Sequence, residues 1–293
     1  MADAHLLPIV LALSAAFLFG ISTLVSRFGL RHADALTGAL VSIGSTTAFY
    51  WTLFPFFLRE ADWTADRLLV FLLVFALIGL FTPSISLFLA FEGNRRLGPT
   101  ISATVAATAP LFAAISAVLV LGEQPTVNVG LGTLGIVAGV MVLSWRGRGA
   151  RDWRYWALLF PLGAAILRGI AYMAAKIGFA VAPAPFTAAL VTFTVSLLVV
   201  SLAYRLSGRS LARAAPRGGL RWFVVTGVLN GMAFASFYAA LSLGQVIVVS
   251  PVISTYPLFT FVFSLMFGIE RLGPRIFAGV VLVVAGAIAV AIS

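Results

Sequence analysis

The stretch FPLGAAILRGIAYMAAKIG, residues 160–178, is apolar except for Arg168, Tyr172 and Lys176. Spacing of four residues stacks those three on one helical face, a polar stripe from the middle of the segment toward one end. A guanidinium is a planar fork of donors suited to a carboxylate or another anionic oxygen. In a bilayer-spanning helix over 155–177, Arg168 falls two residues past the centre, about 3 Å from the midplane at 1.5 Å per residue. A charge there costs about 2.5–3.5 kcal/mol on insertion scales. That cost favours a substrate-facing anion anchor over the structural alternative, an arginine paired with a carbonyl freed at a proline break.

Other polar groups lie deep in apolar runs: Thr82, Thr108, Asn230, Ser254 and Tyr256. Singly, each fits a helix-packing hydrogen bond; together with Arg168 and Tyr172 they make a modestly polar, uncharged chamber for a small solute. Pro83, Pro110, Pro251 and Pro257 interrupt the same runs. An interior proline removes a bond to the carbonyl four residues back, for Pro110 and Pro257 those of Ala106 and Ile253. Such carbonyls need a partner or a wet cavity, so these prolines are candidate hinges, with a packing kink capped by a nearby Ser or Thr as the alternative. Lys176, at the end of the polar stripe, is a candidate gating residue.

What is missing narrows the chemistry. The chain has no cysteine, two histidines and nine acids. Asp3, Asp34, Glu60, Asp62, Asp66, Glu92, Glu123, Asp152 and Glu270 all fall at expected helix ends or in loops. No metal site, cofactor or catalytic residue is expected, since an embedded enzyme needs paired carboxylates, a His cluster or an activated nucleophile at one depth. A carboxylate at the midplane, which ion-coupled carriers commonly use, is also absent, so a facilitator or exchanger is expected.

The elements that must position these residues follow from composition. Of 293 residues, 61% are apolar and 10% charged, with mean hydropathy +1.10. A soluble domain is nearer half apolar and a quarter charged. Ten uninterrupted runs reach the roughly 20 residues needed to cross a bilayer, near 6–30, 34–57, 68–91, 98–121, 126–145, 155–177, 185–205, 221–243, 245–268 and 275–292. They do not alternate, which excludes membrane β-strands. The first run lacks a basic lead and carries Asp3, so it is expected to remain as a span and not be cleaved as a signal peptide.

The runs repeat. Pro110 and Pro257 stand 147 residues apart, as do Glu123 and Glu270, Gly132 and Gly279, and Gly139 and Gly286. Earlier, AAFLFGISTLVSRFG (15–29) aligns with AAILRGIAYMAAKIG (164–178), setting Arg27 opposite Lys176 and Phe19 opposite Arg168; Thr82 aligns with Asn230. The chain therefore divides at 1–150 and 151–293 into two five-helix halves. Five is odd, so the second half enters the membrane from the opposite side. The expected fold is all-α and integral to the membrane, ten helices as two inverted repeats, the arrangement that underlies alternating access.

With "APLF…GE" and "YPLF…IER" each followed by a Gly-spaced helix, the sequence resembles the drug/metabolite transporter superfamily, specifically its EamA-type ten-helix exporters. That resemblance implies a central cavity lined by helices 1, 3, 4, 6, 8 and 9, with 5 and 10 as scaffold, and amino-acid export, including aromatic amino acids. A sugar-phosphate or nucleotide-sugar carrier is the alternative, but it ought to recruit several cavity cations, whereas a zwitterion with one carboxylate matches Arg168. A channel is the alternative of another class.

Short-loop positives set orientation. Fourteen arginines lie between helices 1–2, 3–4, 5–6, 7–8 and 9–10 and two on the other side, so both termini are expected to be extracytoplasmic. The arginine-heavy composition suggests a bacterial cytoplasmic (inner) membrane. The net charge of +10 then reads as orientation and attraction to anionic membrane lipid, with no soluble basic face for nucleic acid. A small molecule is the expected partner; a monomer suffices for transport, and a dimer is compatible with it.

Overall fold

The computed structural model describes residues 2–57, 60–61, 63–121, 127–144, 155–208, 218–268 and 273–291. Among them are helices and no strand. In chain order they are α1 (Ala2–Gly29), α2 (Ala35–Leu53), α3 (Ala65–Phe81), α4 (Ser84–Leu97), α5 (Pro99–Ala106), α6 (Ala109–Leu121) and α7 (Val127–Ser144), then α8 (Leu159–Val181), α9 (Pro185–Leu206), α10 (Leu220–Leu243), α11 (Val246–Ile253), α12 (Tyr256–Met266) and α13 (Pro274–Ala291). Single turns of 3-10 helix precede α8 at Tyr155–Leu158 and follow α2 at Phe54–Phe56. Glu123 and Glu270 lie outside the described residues.

Seven stretches of described residues are long and apolar enough to cross a membrane: 7–29, 65–97, 99–120, 155–181, 185–206, 220–243 and 248–266. The third expected helix extends six residues past its expected end at 91. The break at Thr82–Pro83 splits it into α3 and α4, and its last turns carry Glu92, Arg95 and Arg96. Glu92 is therefore not in a loop: it is buried in α4 and pairs with Arg95 at 2.8 Å and Arg96 at 2.9 Å. Intrahelical pairing lets the charged stretch continue as helix. Gly98, at φ +91°, then makes the sharp turn into α5, in a backbone region open mainly to glycine.

Helix α2 is not among the seven because its core-facing side is hydroxyl-rich. Ser42 donates to the Phe223 carbonyl at 3.1 Å, Thr46 to Gly227 at 2.6 Å and Tyr50 to Gly231 at 2.7 Å. These bonds clip α2 to α10. The same ladder recurs between α9 and α3, where Thr192 donates to Phe75 at 3.3 Å and Ser196 to Gly79 at 2.6 Å. Phe75 and Gly79 stand 148 residues before Phe223 and Gly227.

Glycine contacts repeat in the same manner. A Cβ on Gly169 of α8 would come within 2.6 Å of the Ala109 carbonyl and of Phe112 Cβ in α6; one on Gly20 of α1 would meet Phe259 Cβ at 2.6 Å and the Tyr256 carbonyl at 3.1 Å in α12. The first helix of each half thus crosses the fourth helix of the other half, backbone nearly against backbone. Gly139 meets the Gly279 carbonyl and Val283 N, while Gly286 meets the Gly132 carbonyl and Ile136 N. Close approach of small residues is what holds helices together where lipid offers no hydrophobic contrast.

The fourth helix of each half is broken, at Ala107–Thr108 and at Ser254–Thr255. These breaks correct the expected kinks: Pro110 and Pro257 do not bend a continuous helix but sit in the first turn of α6 and α12, where the absent N–H costs nothing. At both breaks a threonine hydroxyl adds a second donor to a carbonyl that its own N–H reaches at 3.1 Å. Thr108 Oγ1 donates to Val105 and Thr255 Oγ1 to Val252, each at 2.8 Å. Thr108→Ala and Thr255→Ala are each expected to lower stability by about 0.5–1.5 kcal/mol, the net worth of one hydrogen bond, without altering solute binding, as thermal unfolding with and without solute would report. Pro251 lies inside α11.

The start of α9 shows a shared cap. Asp34 caps its own helix, accepting from Leu36 N at 3.0 Å and Thr37 N at 3.1 Å. The residue that precedes α9 in the same way is Ala184, whose side chain makes no capping bond. Glu60 of the first half supplies the carboxylate instead, accepting from Phe186 N and Thr187 N at 2.7 Å each. An anion suits a helix N-terminus, so loop and helix of opposite halves are joined there.

Candidate substrate cavity

One cavity opens among α1, α4, α5, α8, α10 and the α11–α12 break, with about 920 Å3 of atom-free space counting its mouth. About 70 Å3 of it is reachable by the centres of water molecules, enough for about five waters at 10–15 Å3 each. That is room for a small solute. Its walls come from the C-terminal half of α1 (Phe19, Ser22, Thr23, Ser26), from α4 (Ser86, Leu87, Ala90, Phe91, Asn94) and from α5, together with Arg168 and Tyr172 of α8. The cavity thus lies between mid-bundle and the end where α1 and α4 finish and α5 and α8 begin. Toward the opposite end, the matching space is packed with rings: Phe234 against Phe193 at 4.9 Å, Phe75 against Phe179 at 5.2 Å, and Tyr172 against Phe237 at 4.8 Å.

Of the residues expected from sequence, Arg168, Tyr172, Thr82, Asn230, Ser254, Tyr256 and Pro83 all line this cavity. Thr108, Pro110, Pro251, Pro257 and Lys176 do not. Thr108 is engaged in its own break. Lys176 Nζ donates to the Gly244 carbonyl at 2.8 Å and lies 3.4 Å from that of Leu241, at the end of α10. Its repeat mate Arg27 does the same at the end of α4, donating to the carbonyls of Asn94 at 2.8 Å and Arg95 at 2.9 Å. A cation at a helix C-terminus meets the negative end of the dipole. Each therefore braces the first helix of its half against the third.

Arg168 stands beside the hydroxyls of Tyr172 and Tyr256 and acts on both electrostatically. Tyr256 is held by its own donation to the Ala103 carbonyl at 2.7 Å, so its oxygen is turned to the arginine as an acceptor. Among the described residues no carboxylate lies within ion-pair distance of Arg168, and the cavity lining contains none. Asn230 accepts from Ser22 at 2.7 Å. Phe19, the repeat counterpart of Arg168, faces the same space and meets Phe234 edge-on at 5.2 Å. Among the described residues the chamber pairs a single cation, Arg168, with hydroxyls and aromatic faces.

Ser22, Thr23, Ser26, Ser86, Asn94 and Ser102 also line it, and none was singled out from sequence. The signal was present in α1, where Ser22, Thr23 and Ser26 share one helical face, but Asn94 lay beyond the expected helix end.

Apolar spans enclosing a polar chamber define an integral membrane protein built around a solute site. The chain belongs to the EamA-like transporter family, whose sequence profile matches residues 6–145 and again 155–292. That is a family of membrane transporters of small solutes and not of enzymes, and the chain is accordingly a multi-pass membrane protein. No curated protein matches the sequence. Twenty-five solved chains match. One of them, a crystal structure, is 18% identical, with a TM-score of 0.69 over 96% of this chain and 94% of the other; at that identity it shows the fold alone.

Proposed function

We propose that the chain is an alternating-access carrier that exports a small zwitterion, an α-amino acid with aromatic side chains included, as a facilitator or exchanger. The observation that carries this reading is Arg168, a cation in the cavity wall beside two tyrosine hydroxyls and without a carboxylate partner among the described residues. A fixed guanidinium in a low-dielectric chamber suits one carboxylate. Phe19, Phe91, Phe193 and Phe234 offer apolar walls for a side chain. A phosphorylated or nucleotide-linked sugar would bring more negative charge than one arginine balances.

In this reading α2, α7 and α13 also cross the bilayer, giving ten spans in two inverted halves, 1–150 and 151–293. The cross-half contacts of Gly20 with α12 and Gly169 with α6 support that symmetry. The arginine bias of the loops supports an orientation with the cavity end of the bundle in the bacterial cytoplasm and both termini outside. The conformation is then open inward, with the aromatic cluster closing the outer half.

The test is a panel of amino acids and sugar phosphates presented to the purified protein, scored by thermal stabilisation, followed by exchange in liposomes. Stabilisation by amino acids and saturable, trans-stimulated flux are expected. Stabilisation by sugar phosphates alone would replace the substrate class, and flux without saturation or trans-stimulation would make the protein a channel.

A further inference from the structure

Arg168 is suited to one pole of a zwitterion, and the neighbouring α4 wall of the same cavity carries groups suited to the other. Among the described residues, three buried side-chain atoms have no hydrogen-bond partner: Thr82 Oγ1, Ser86 Oγ and Asn94 Oδ1. All three residues line this cavity, and they are only 3%, 1% and 2% exposed. Buried polar groups in native proteins are nearly always paired, and each that is not calls for an explanation, such as stored strain, a functional role, or a bound water or ion. Here the exceptions share one wall of one chamber.

The Asn94 amide has a fixed orientation. Its Nδ2 donates to the Thr23 carbonyl at 2.9 Å and to Ser26 Oγ at 2.7 Å. A carbonyl can only accept, so flipping the amide would set two acceptors together. Oδ1 is thus held as an acceptor awaiting a donor. The two hydroxyls can accept as well.

Their depths are ordered. Gly93 packs on Pro161 and Gly163 on Leu89, which puts α4 and the start of α8 side by side. Counting 1.5 Å per residue from these contacts sets Ser86 within about 3 Å of the level of Arg168, with Asn94 about 12 Å nearer the mouth. Thr82 lies deeper, at the break between α3 and α4.

Resting on the amino-acid reading above, we infer that the α4 wall recognises the substrate's ammonium group. Asn94 Oδ1 meets it at the mouth, and Ser86, at the depth of Arg168, holds it while the carboxylate sits on the guanidinium. Thr82 is the next acceptor inward. Neutral acceptors orient an ammonium without the tight ion pair that would hinder release, and among the described residues a lone inorganic cation finds no carboxylate in the lining.

The experiment uses the full-length protein in liposomes and two probe series: phenylalanine, 3-phenylpropionate and 2-phenylethylamine; and alanine, propionate and ethylamine. Wild-type protein should prefer the amino acid of at least one series about tenfold over the analogue lacking the ammonium. Ser86→Ala should bring that preference close to one, with the deaminated acid still bound as by wild type, and Asn94→Leu should lower it in the rate of uptake. Arg168→Ala should instead erase the preference over the decarboxylated amine. An unchanged preference in both α4 variants, or equal weakening toward amino acid and deaminated acid, would overturn the inference while leaving amino-acid transport standing. Failure of wild-type protein to bind either amino acid would overturn the substrate reading itself, and this inference with it.

Discussion

Arg168→Ala should cut amino-acid exchange by ten- to a hundredfold while leaving the unfolding temperature of the protein unchanged or raised. Hydrogen bonds to charged groups contribute about 1.5–3 kcal/mol, and each 1.4 kcal/mol is about tenfold in binding; loss of the fork should fall in that range. Stability should not fall, because among the described residues the guanidinium has no carboxylate partner whose charge would be stranded, and removing a half-buried cation relieves part of a desolvation cost. Arg168→Lys should recover part of the exchange, since it restores the charge without the planar fork. Exchange rates in liposomes beside unfolding curves in detergent separate this from a structural role: a structural arginine would lose stability first, and flux only in proportion.

Gly169→Leu and Gly20→Leu should both unfold the bundle or lock it, lowering stability by at least about 3 kcal/mol, the upper end of overpacking costs. A side chain at Gly169 would strike the Ala109 carbonyl and Phe112 Cβ at 2.6 Å, and one at Gly20 would strike Phe259 Cβ at 2.6 Å. The obstacles are backbone atoms and Cβ atoms, which no rotamer change moves, so helices α1 and α12, or α8 and α6, must separate. Gly130→Leu is the control, because a Cβ there meets nothing within 4 Å. Equal losses at all three glycines, read by thermal unfolding, would remove the cross-half packing as their cause.

Much of this was legible in the chain itself. Matched spacing of Pro110 with Pro257 and of Gly139 with Gly286 announced the repeat, because close helix contacts tolerate few residue types and so persist in both copies. Arg168 and Tyr172 were legible because charge in an apolar run has few benign explanations. Asn94 was not: the cluster from Glu92 to Arg96 resembles a loop until Glu92 is seen to neutralise Arg95 and Arg96 within the helix. Proline marked that the fourth and ninth spans were interrupted, but not where. The breaks fall at Thr108 and Thr255, whose hydroxyls bond the carbonyls of Val105 and Val252. Nor could the repeat say which copies touch. That each half's first helix rests on the other half's fourth is a property of packing, carried by Gly20 and Gly169 only once the partner helix is known.

Inversion of the two halves is the premise on which alternating access stands, and the absence of native cysteine makes it directly measurable. Arg31→Cys, after α1, and Pro183→Cys, after α8, occupy exposed positions in equivalent connections of the two halves. In intact cells an impermeant thiol reagent should modify Pro183→Cys and spare Arg31→Cys, with both modified once the membrane is opened. Modification of both, or of neither, in intact cells would place the two connections on one side and contradict the inverted architecture.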